Sequence, residues 1–293
     1  MSDSLNSKVS PFGSNSGPDR TIAPLGVFTG WSNQPFSMET PQGKVYPAVA
    51  FVPARVFYSQ QGEDLEVFVD FFKDKPIDRG IYVEVGAGNG VEFSNTLFFE
   101  KSLGWGGVLV EPLPQFKQVL ATLRSPETNY VASCAAGSDQ GSATFSVNLE
   151  KWAQSHRTDI ATEELHLQLR SGNPEHNELI SVQVELLSQI LEDAEVTYID
   201  LMFVDVEGGE LEVLEGMNWD IPVHVIVMEC TEVVCDITQR RVHQARQILQ
   251  DQGFIFHKVV GCNEVWHCKE YPSKRGEYLS NLSTDVTPGV HKP

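Results

Sequence analysis

The sequence predicts an α/β fold, with a doubly wound, mostly parallel seven-stranded sheet and a C-terminal antiparallel hairpin. Short runs rich in β-branched and aromatic residues alternate with amphipathic helical stretches at least five times, which is the pattern of a parallel sheet covered by helices. Two further apolar runs, 254–260 and 264–268, lie close enough together to form the hairpin. In such a sheet the ligand cleft lies at the carboxyl ends of the parallel strands.

The elements are expected in a simple order. An amphipathic helix at 65–72 comes first. Five strands follow, at 81–85, 108–110, 130–136, 198–204 and 223–228. Helices are expected at 91–101, 114–123, 182–191, 211–217 and 238–252. Residues 139–180 are polar and lack strong periodicity, so we expect an insertion or lid there in place of sheet.

The ends of the chain differ in composition from this core. Residues 1–45 are rich in Ser, Asn, Gly and Pro, and we expect a flexible or draped arm. The main domain then spans 46–272. The polar segment 273–293 is expected to be a loosely held tail.

Composition limits the classes of partner. The chain has 293 residues and a formal net charge of -19, so it lacks the basic surface that nucleic-acid phosphates require. No apolar run approaches membrane length and no basic-then-apolar leader is present, so we expect a cytoplasmic protein without a membrane partner. The five cysteines do not form a secreted disulfide framework and are expected to be free thiols. The oligomeric state is left open.

The stretch Ile81 to Gly90 is the strongest local signal. A buried strand ends abruptly at Gly86 and Gly88, which allow a tight turn and close approach to a ligand. The third glycine of a dinucleotide fingerprint is replaced by Val91. Glu84, inside the strand, would repel a pyrophosphate but suits a ligand with an ammonium or sulfonium charge. S-adenosylmethionine carries both charges, so it is favoured over NAD.

Acidic residues stand at the ends of three predicted strands. Glu111 follows the second strand, where dinucleotide and S-adenosylmethionine folds both bind the ribose hydroxyls. Asp205 and Glu207 follow the fourth strand and Glu229 the fifth, and these three are candidate catalytic residues, as general bases for a hydroxyl acceptor. Their oxygens could also bind Mg²⁺. Plainer interpretations stay open, since Asp205 could cap a helix and Glu207 could point into solvent.

The expected lid contains several side chains suited to recognising a substrate. They are Trp152, His156, Arg157, His166, Arg170 and His176. Lids over clefts often select the substrate, and His156 or His176 could also act as a base. Taken one by one, each could equally be a solvated surface residue.

Four blocks of sequence resemble the FkbM-type methyltransferases, a branch of the class I S-adenosylmethionine-dependent superfamily. The blocks are Ser59–Asp64, Val83–Gly90 with Ser94–Thr96, Gly104–Pro112 and Val204–Leu211. They occur in the family order, and the resemblance covers about residues 57–270. It implies a Rossmann-like fold and methyl transfer from S-adenosylmethionine, most often to a hydroxyl oxygen of a sugar or natural product.

The resemblance also implies a set of cofactor-binding residues. Glu84, Gly86, Gly88 and Asn89 would hold the methionine part, and Asn95 would hold its carboxylate. Glu111 would bind the ribose, while Cys134, Ala135 or Ser138 would edge the adenine. Asp205 would face the sulfonium. Gln61, Ala87 and Pro112 complete the set.

Three alternatives remain open at this point. A divalent cation such as Mg²⁺, which the family does not generally require, could assist the transfer through Asp205 and Glu229. The chain could bind S-adenosylmethionine without catalysing a reaction. A NAD-linked oxidoreductase is the third alternative, and both Glu84 and Val91 argue against it.

Overall fold

The computed structural model describes residues 57–74, 77, 79–170, 172–230, 235–271 and 275, together with two short strands near the N-terminus. These strands, β1 (Met38–Glu39) and β2 (Val45–Tyr46), pair antiparallel within a unit of residues 1–54. A second unit of residues 55–293 contains the remaining elements. Apart from these strands and Arg275, the arm expected at 1–45 and the tail expected at 273–293 lie outside the described residues.

The second unit contains strands, α-helices and shorter helical turns. Its strands are β3 (Ile81–Val85), β4 (Gly106–Val110), β5 (Asn129–Ala132), β6 (Ala135–Gly137), β7 (Gly141–Asn148), β8 (His156–Arg157), β9 (Asn177–Leu186), β10 (Ile199–Val204), β11 (Val223–Glu229), β12 (Ile255–Val260) and β13 (Asn263–His267). Its α-helices are α1 (Glu63–Val67), α2 (Leu97–Leu103), α3 (Pro114–Leu123), α4 (Glu163–Leu169), α5 (Leu187–Asp193), α6 (Glu210–Glu215) and α7 (Asp236–Asp251). A π-helical turn (Phe68–Phe72) continues α1, and 3-10 turns lie at Trp152–Gln154 and Pro174–His176.

The main sheet has seven strands in the order β12-β13-β11-β10-β3-β4-β5. The five strands from β11 to β5 are parallel, whereas β13 runs antiparallel to both β11 and β12. All residues of β3 and β4 are buried, as expected for strands with helices on both faces. The predicted fold class, including the C-terminal antiparallel hairpin, is confirmed.

A second sheet occupies the segment where we expected no strands, so that expectation is wrong. Its order is β6-β9-β7-β8, and β7 and β9 pair antiparallel over eight residues. The alternation that marks β7 is carried by small or modest side chains, with Ala143 and Phe145 buried and Ser142 and Thr144 exposed. Such a half-buried strand gives a weak periodic signal in a polar sequence.

Three element boundaries also differ from the sequence prediction. The helix expected over 182–191 is half strand, since β9 runs to Leu186 before α5 begins. The strand expected over 130–136 is divided into β5 and β6, which belong to different sheets. The helix expected from Val91 begins only at Leu97. No helix in the described part of the chain has the length and apolar character needed to cross a membrane.

Candidate functional site

A cleft opens at the carboxyl ends of the central strands β4, β3, β10 and β11. Counting the part open to solvent, its empty volume is about 1120 Å³. Small-molecule sites usually measure roughly 300–1,000 Å³. The cleft is therefore large enough for a cofactor and part of a second molecule.

The glycine turn after β3 forms one wall of the cleft and can be built only with glycine at its first position. The N–H groups of Gly86 and Ala87 both donate to the Val110 carbonyl, at 2.9 and 3.0 Å. Gly86 has a φ of +91°, and a Cβ there would lie 1.9 Å from the Asp205 carbonyl oxygen. The turn is thus pressed against the end of β10.

Glu111 joins this turn to the tip of β4. Its Oε2 accepts the Gly88 N–H at 2.7 Å and its Oε1 accepts the Leu113 N–H at 2.8 Å. The residue is 6% exposed and lines the cleft. Burial raises the pKa of this carboxyl to about 7, and repulsion from Glu84 adds to the rise. The group can therefore change its charge near neutral pH.

Glu84 lies beneath the turn and does not line the cleft. It is 2% exposed, and its carboxylate accepts hydrogen bonds from the Asn95 N–H (2.6 Å) and the Thr96 Oγ1 (2.5 Å). These bonds fix the loop that precedes α2, and Asn95 lines the cleft from that loop. The polar residues that we expected in the first turns of a helix are thus held in an irregular loop before the helix by a buried carboxylate.

Arg124, at the end of α3, supports the same loop from below. Its side chain is fully buried, and its Nε donates to Glu100 at 2.6 Å. One Nη1 donates to the Gly90 carbonyl at 3.2 Å and lies 3.5 Å from Glu84. The other nitrogen donates to the Tyr82 hydroxyl at 2.8 Å. Arg124 was not among the residues expected from the sequence, because a single arginine at a helix end carries no local signal.

Three carboxylates converge at the other end of the cleft. Asp205, Glu207 and Glu229 each offer an oxygen within 4.8 Å of the others, and all three line the cleft. Burial raises the pKa of each, and repulsion within the group raises it further for Glu207 and Glu229, while Glu63 contributes most of the repulsion on Asp205. A hydrogen bond between the Asp205 and Glu229 side chains partly offsets the rise in the pKa of Asp205. The Oε2 of Glu229 is buried and accepts no hydrogen bond from an N–H or hydroxyl donor among the described residues.

The loop that carries two of these acids has an unusual backbone. Glu207 has a φ of +55°, a left-handed conformation that non-glycine residues rarely adopt and that often marks functional sites. The Oε1 of Glu210 holds the loop by accepting the N–H groups of Val206 (3.2 Å) and Gly208 (3.0 Å). Glu210 thereby anchors the loop while Glu207 faces the cleft.

Residues from distant parts of the chain complete the acidic end. Glu63, which is 2% exposed, accepts hydrogen bonds from the Gln61 N–H and the Asn263 side chain, both at 2.9 Å. The Gln61 side chain accepts the Cys262 N–H at 2.7 Å. All four line the cleft. Glu63 belongs to the block Ser59–Asp64 but is not distinguished within it by any local pattern, and none points to the hairpin residues Cys262 and Asn263 either.

The second sheet supplies the opposite wall. Trp152, Arg157, Phe145, Ala153 and Ser155 line the cleft. The Trp152 ring packs on the glycine turn, 2.3 Å from where a Cβ of Gly88 would lie, and meets Phe116 edge-on at 4.9 Å. The expectation that this segment borders the cleft therefore holds for Trp152 and Arg157.

The histidines of this segment do not line the cleft. His156 is buried, and its Nε2 lies 2.7 Å from Nδ1 of His166. His176 pairs with Glu150 at 2.5 Å on the surface. His156 and His176 are therefore not placed to act as bases in this structure.

The structure brings most of the sequence-predicted site residues together. Those that line the cleft are Gln61, Gly86, Ala87, Gly88, Asn95, Glu111, Pro112, Ala135, Asp205, Glu207 and Glu229. Those that lie outside its lining are Glu84, Asn89, Cys134 and Ser138. The Asn89 Oδ1 accepts the N–H groups of Val91 (3.0 Å) and Glu92 (2.8 Å), so this side chain closes the turn on itself.

Comparison with known proteins places the chain among methyltransferases. Residues 84–256 match the model of the family described as the Methyltransferase FkbM domain, which is more than half of the chain. Among solved structures, the chain is similar to a fibrillarin pre-rRNA processing protein of Methanococcus jannaschii, with 12% identity, a TM-score of 0.39, and coverage of 82% of this chain and 86% of that one. A comparison with curated proteins finds no match.

Proposed function

The chain belongs to the FkbM methyltransferase family, and on that premise we propose that it transfers the methyl group of S-adenosylmethionine to a hydroxyl oxygen of a small molecule, such as a sugar or natural product. When bound, S-adenosylmethionine supplies an activated methyl group on a sulfonium, with the sulfur as leaving group. The chain's own residues have to bind the cofactor, align the acceptor and remove its proton.

The observation that carries the cofactor part of the proposal is the junction of Glu111 with the glycine turn. A carboxylate at the tip of the second strand is suited to bind the two ribose hydroxyls, as in other nucleotide-binding α/β folds. Each oxygen of Glu111 accepts one backbone N–H, which leaves a further lone pair on each for a hydroxyl donor. The residues present therefore fit an adenosyl ligand.

The remaining cofactor contacts follow from position along the cleft. We assign Asn95 to the carboxylate of the methionine part and Asp205 to the face of the sulfonium. Glu84 acts through Asn95, whose N–H it holds, without touching the cofactor. Ala135, which lines the cleft, is the residue assigned to the adenine edge, where Cys134 and Ser138 do not reach the lining.

The acidic end of the cleft is the proposed acceptor site. Methyl transfer requires the acceptor oxygen, methyl carbon and sulfur in line, so much of the catalysis is alignment. The acceptor hydroxyl also loses a proton, and Asp205, Glu207 or Glu229 is available to take it. Their raised pKa values bring these carboxylates closer to the basicity that is useful at neutral pH.

Calorimetric titration of the full chain with S-adenosylmethionine, S-adenosylhomocysteine and NADH tests the cofactor. We expect the first two to bind, and Glu111→Gln to weaken them roughly 10- to 100-fold, because hydrogen bonds to a charged acceptor contribute about 1.5–3 kcal/mol. Glu215→Gln, at an exposed position of α6, should leave binding unchanged. Binding of NADH alone would instead favour the oxidoreductase.

A panel of hydroxyl, amine and thiol acceptors, with mass-spectrometric detection of the methylated product, tests the reaction. Methylation of hydroxyl compounds alone supports the proposal. Methylation of amines or thiols in place of hydroxyl compounds would indicate an N- or S-methyltransferase. Cofactor binding without turnover of any acceptor would favour the non-catalytic alternative.

A further inference from the structure

The three converging carboxylates have the geometry of a site for a single cation. One oxygen each from Asp205, Glu207 and Glu229 lies within 4.8 Å of the other two. In a complex with a hard divalent ion, oxygens on opposite sides lie about 4–5 Å apart, since metal–oxygen distances are about 2.0–2.1 Å for Mg²⁺ and 2.3–2.6 Å for Ca²⁺. The observed separation therefore accommodates one ion between the three side chains.

A second observation points to a ligand at the same place. The Oε2 of Glu229 is buried and accepts no hydrogen bond from an N–H or hydroxyl donor in the described ranges, although the side chain is within hydrogen-bond reach of the Asp205 carboxyl. A buried carboxylate oxygen without a donor has a substantial desolvation cost, which binding a cation would remove. Its other oxygen, Oε1, is contacted only weakly, by the Cys262 thiol at 3.7 Å.

No side chain in the described lining of the cleft provides the missing positive charge. Arg157 is the one basic residue of that lining, and it stands on the opposite wall, paired with Asp159 at 2.6 Å. Glu63 and Glu210 add two more buried carboxylates near the three. Each of those two already accepts hydrogen bonds from donors of the chain, so both are satisfied without an ion.

We propose that Asp205, Glu207 and Glu229 bind a hard divalent cation of the Mg²⁺ or Ca²⁺ type at the acceptor end of the cleft. Carboxylate oxygens from the ends of two neighbouring strands form the protein part of the site. The remaining coordination positions face the cleft and are open to water or a ligand oxygen. Hard oxygen ligands without a histidine select these ions over Zn²⁺ or Cu²⁺.

The role of the ion rests on the function proposed above. An acceptor hydroxyl bound to the ion becomes more acidic and is held in a fixed place, and an acceptor with two adjacent hydroxyls would bind through both. The ion lowers the pKa of that hydroxyl, and the proton then leaves to water in the open part of the cleft, so a free carboxylate base is not needed. The binding of the ion itself does not depend on methyl transfer.

The test is calorimetric titration of the chelator-treated, desalted full chain with MgCl₂ and, separately, CaCl₂ at constant ionic strength. We expect one ion per chain, with Asp205→Asn and Glu229→Gln each weakening the affinity about tenfold or more. Glu215→Gln is the matched control and should bind the ion as the native chain does. The melting temperature should rise with the ion for the native chain and the control but not for Glu229→Gln.

The variants separate loss of the site from loss of the fold. Replacing a crowded carboxylate by its neutral isostere relieves repulsion, so the melting temperature without metal should not fall. If Asp205→Asn or Glu229→Gln fails to fold, Glu207→Gln, on the loop after β10, takes its place in the titration. Absence of saturable binding by the native chain, or affinity unchanged in the variants at Asp205 and Glu229, would overturn the proposal.

A parallel titration with S-adenosylmethionine in excess chelator keeps the two proposals apart. Cofactor binding without ion binding refutes the cation site and leaves the methyltransferase proposal intact. Ion binding without cofactor binding supports the site but refutes its role in methyl transfer. Turnover that is lost with chelator and restored by Mg²⁺ or Ca²⁺ supports both and identifies the ion.

Discussion

Replacing Arg124 by Met tests whether the polar network beneath the glycine turn is as important as its geometry indicates. The guanidinium is fully buried between Glu84 and Glu100 and also holds the Gly90 carbonyl. Without it, two buried carboxylates lose the arginine that lies beside them. Methionine has a similar length and no charge, so the change removes the charge and the hydrogen bonds with little loss of volume.

The magnitude follows from the cost of breaking a buried ion pair, about 3–5 kcal/mol in the free energy of unfolding. The pKa of Glu100 gives independent support for the direction of the effect. Burial alone raises this pKa, and attraction to Arg124 is the largest of the effects that overcome burial and lower it to about 2 from 4.5. Hydrogen bonds from Lys101 and Ser125 contribute to the same lowering, so the shift supports the direction of the Arg124 effect and not its size.

The pH dependence of the stabilisation contributed by Glu100 has a definite sign. Because the folded pKa of Glu100 is depressed, its stabilisation is fully present above about pH 4.5 and is lost as the pH falls from 4.5 towards 2. In Arg124→Met the uncompensated carboxylates become protonated at higher pH than in the native chain. The difference in the free energy of unfolding between the native chain and Arg124→Met, the stability gap, should therefore be constant between about pH 7 and 8. It should become smaller towards pH 5.

Urea unfolding followed by circular dichroism at pH 7.5 and pH 5 measures the gap. Arg124→Lys keeps the charge without the planar fork of donors. Its free energy of unfolding should lie between those of the native chain and Arg124→Met. Arg240→Met, at an exposed position of α7, should change stability by less than about 0.5 kcal/mol. A gap below about 1 kcal/mol at pH 7.5, or one that widens at pH 5, would refute the reasoning.

Three further outcomes can be checked on the same preparations. Gly86→Ala should lower the melting temperature far more than Gly104→Ala, because the new Cβ meets the Asp205 carbonyl at 1.9 Å in the first case and open space in the second; equal shifts would contradict the close approach. Trp152 packs on the glycine turn, so S-adenosylmethionine should change its fluorescence, and Trp152→Phe should abolish the change; a signal that survives in the variant would exclude Trp152 as its source. Ionised Glu111, with a pKa of about 7, is the better hydroxyl acceptor, so affinity for S-adenosylmethionine should rise roughly tenfold from pH 6 to pH 8. The profile should be flat in Glu111→Gln, and a native profile that falls with pH would be contrary to this role.

Local sequence patterns were sufficient for the main sheet. The strands of five to seven residues around Val83, Met202 and Ile226 are mostly apolar runs between turn residues, each with only one or two polar side chains, so they were recognisable without any knowledge of their neighbours. The same patterns failed in the second sheet. There buried and exposed positions alternate over only part of β7 and β9, so neither strand has a strong local period, and the two are joined by pairing over eight residues.

The site residues divide in the same way. Glu111 and Asp205 were identified because each directly follows a recognisable strand, and parallel strands bring such residues to one edge. Arg124 and Glu63 were missed because they act across the fold. Arg124 reaches Glu100 over 24 positions of the chain, and Asn263 reaches Glu63 over 200. No local pattern records such a contact.

By itself, the sequence determined the fold class, the glycine turn and the acids at the strand ends, because each depends on the conformational preferences of a few adjacent residues. The tertiary structure alone decided that Glu84 lies beneath the glycine turn while Glu111 lines the cleft. It also placed Trp152, in the turn that connects β7 to β8, against Gly88. It also decided that three carboxylates meet within 4.8 Å. The order of the strands and the direction of each side chain set these distances, and both are fixed only when the whole core packs.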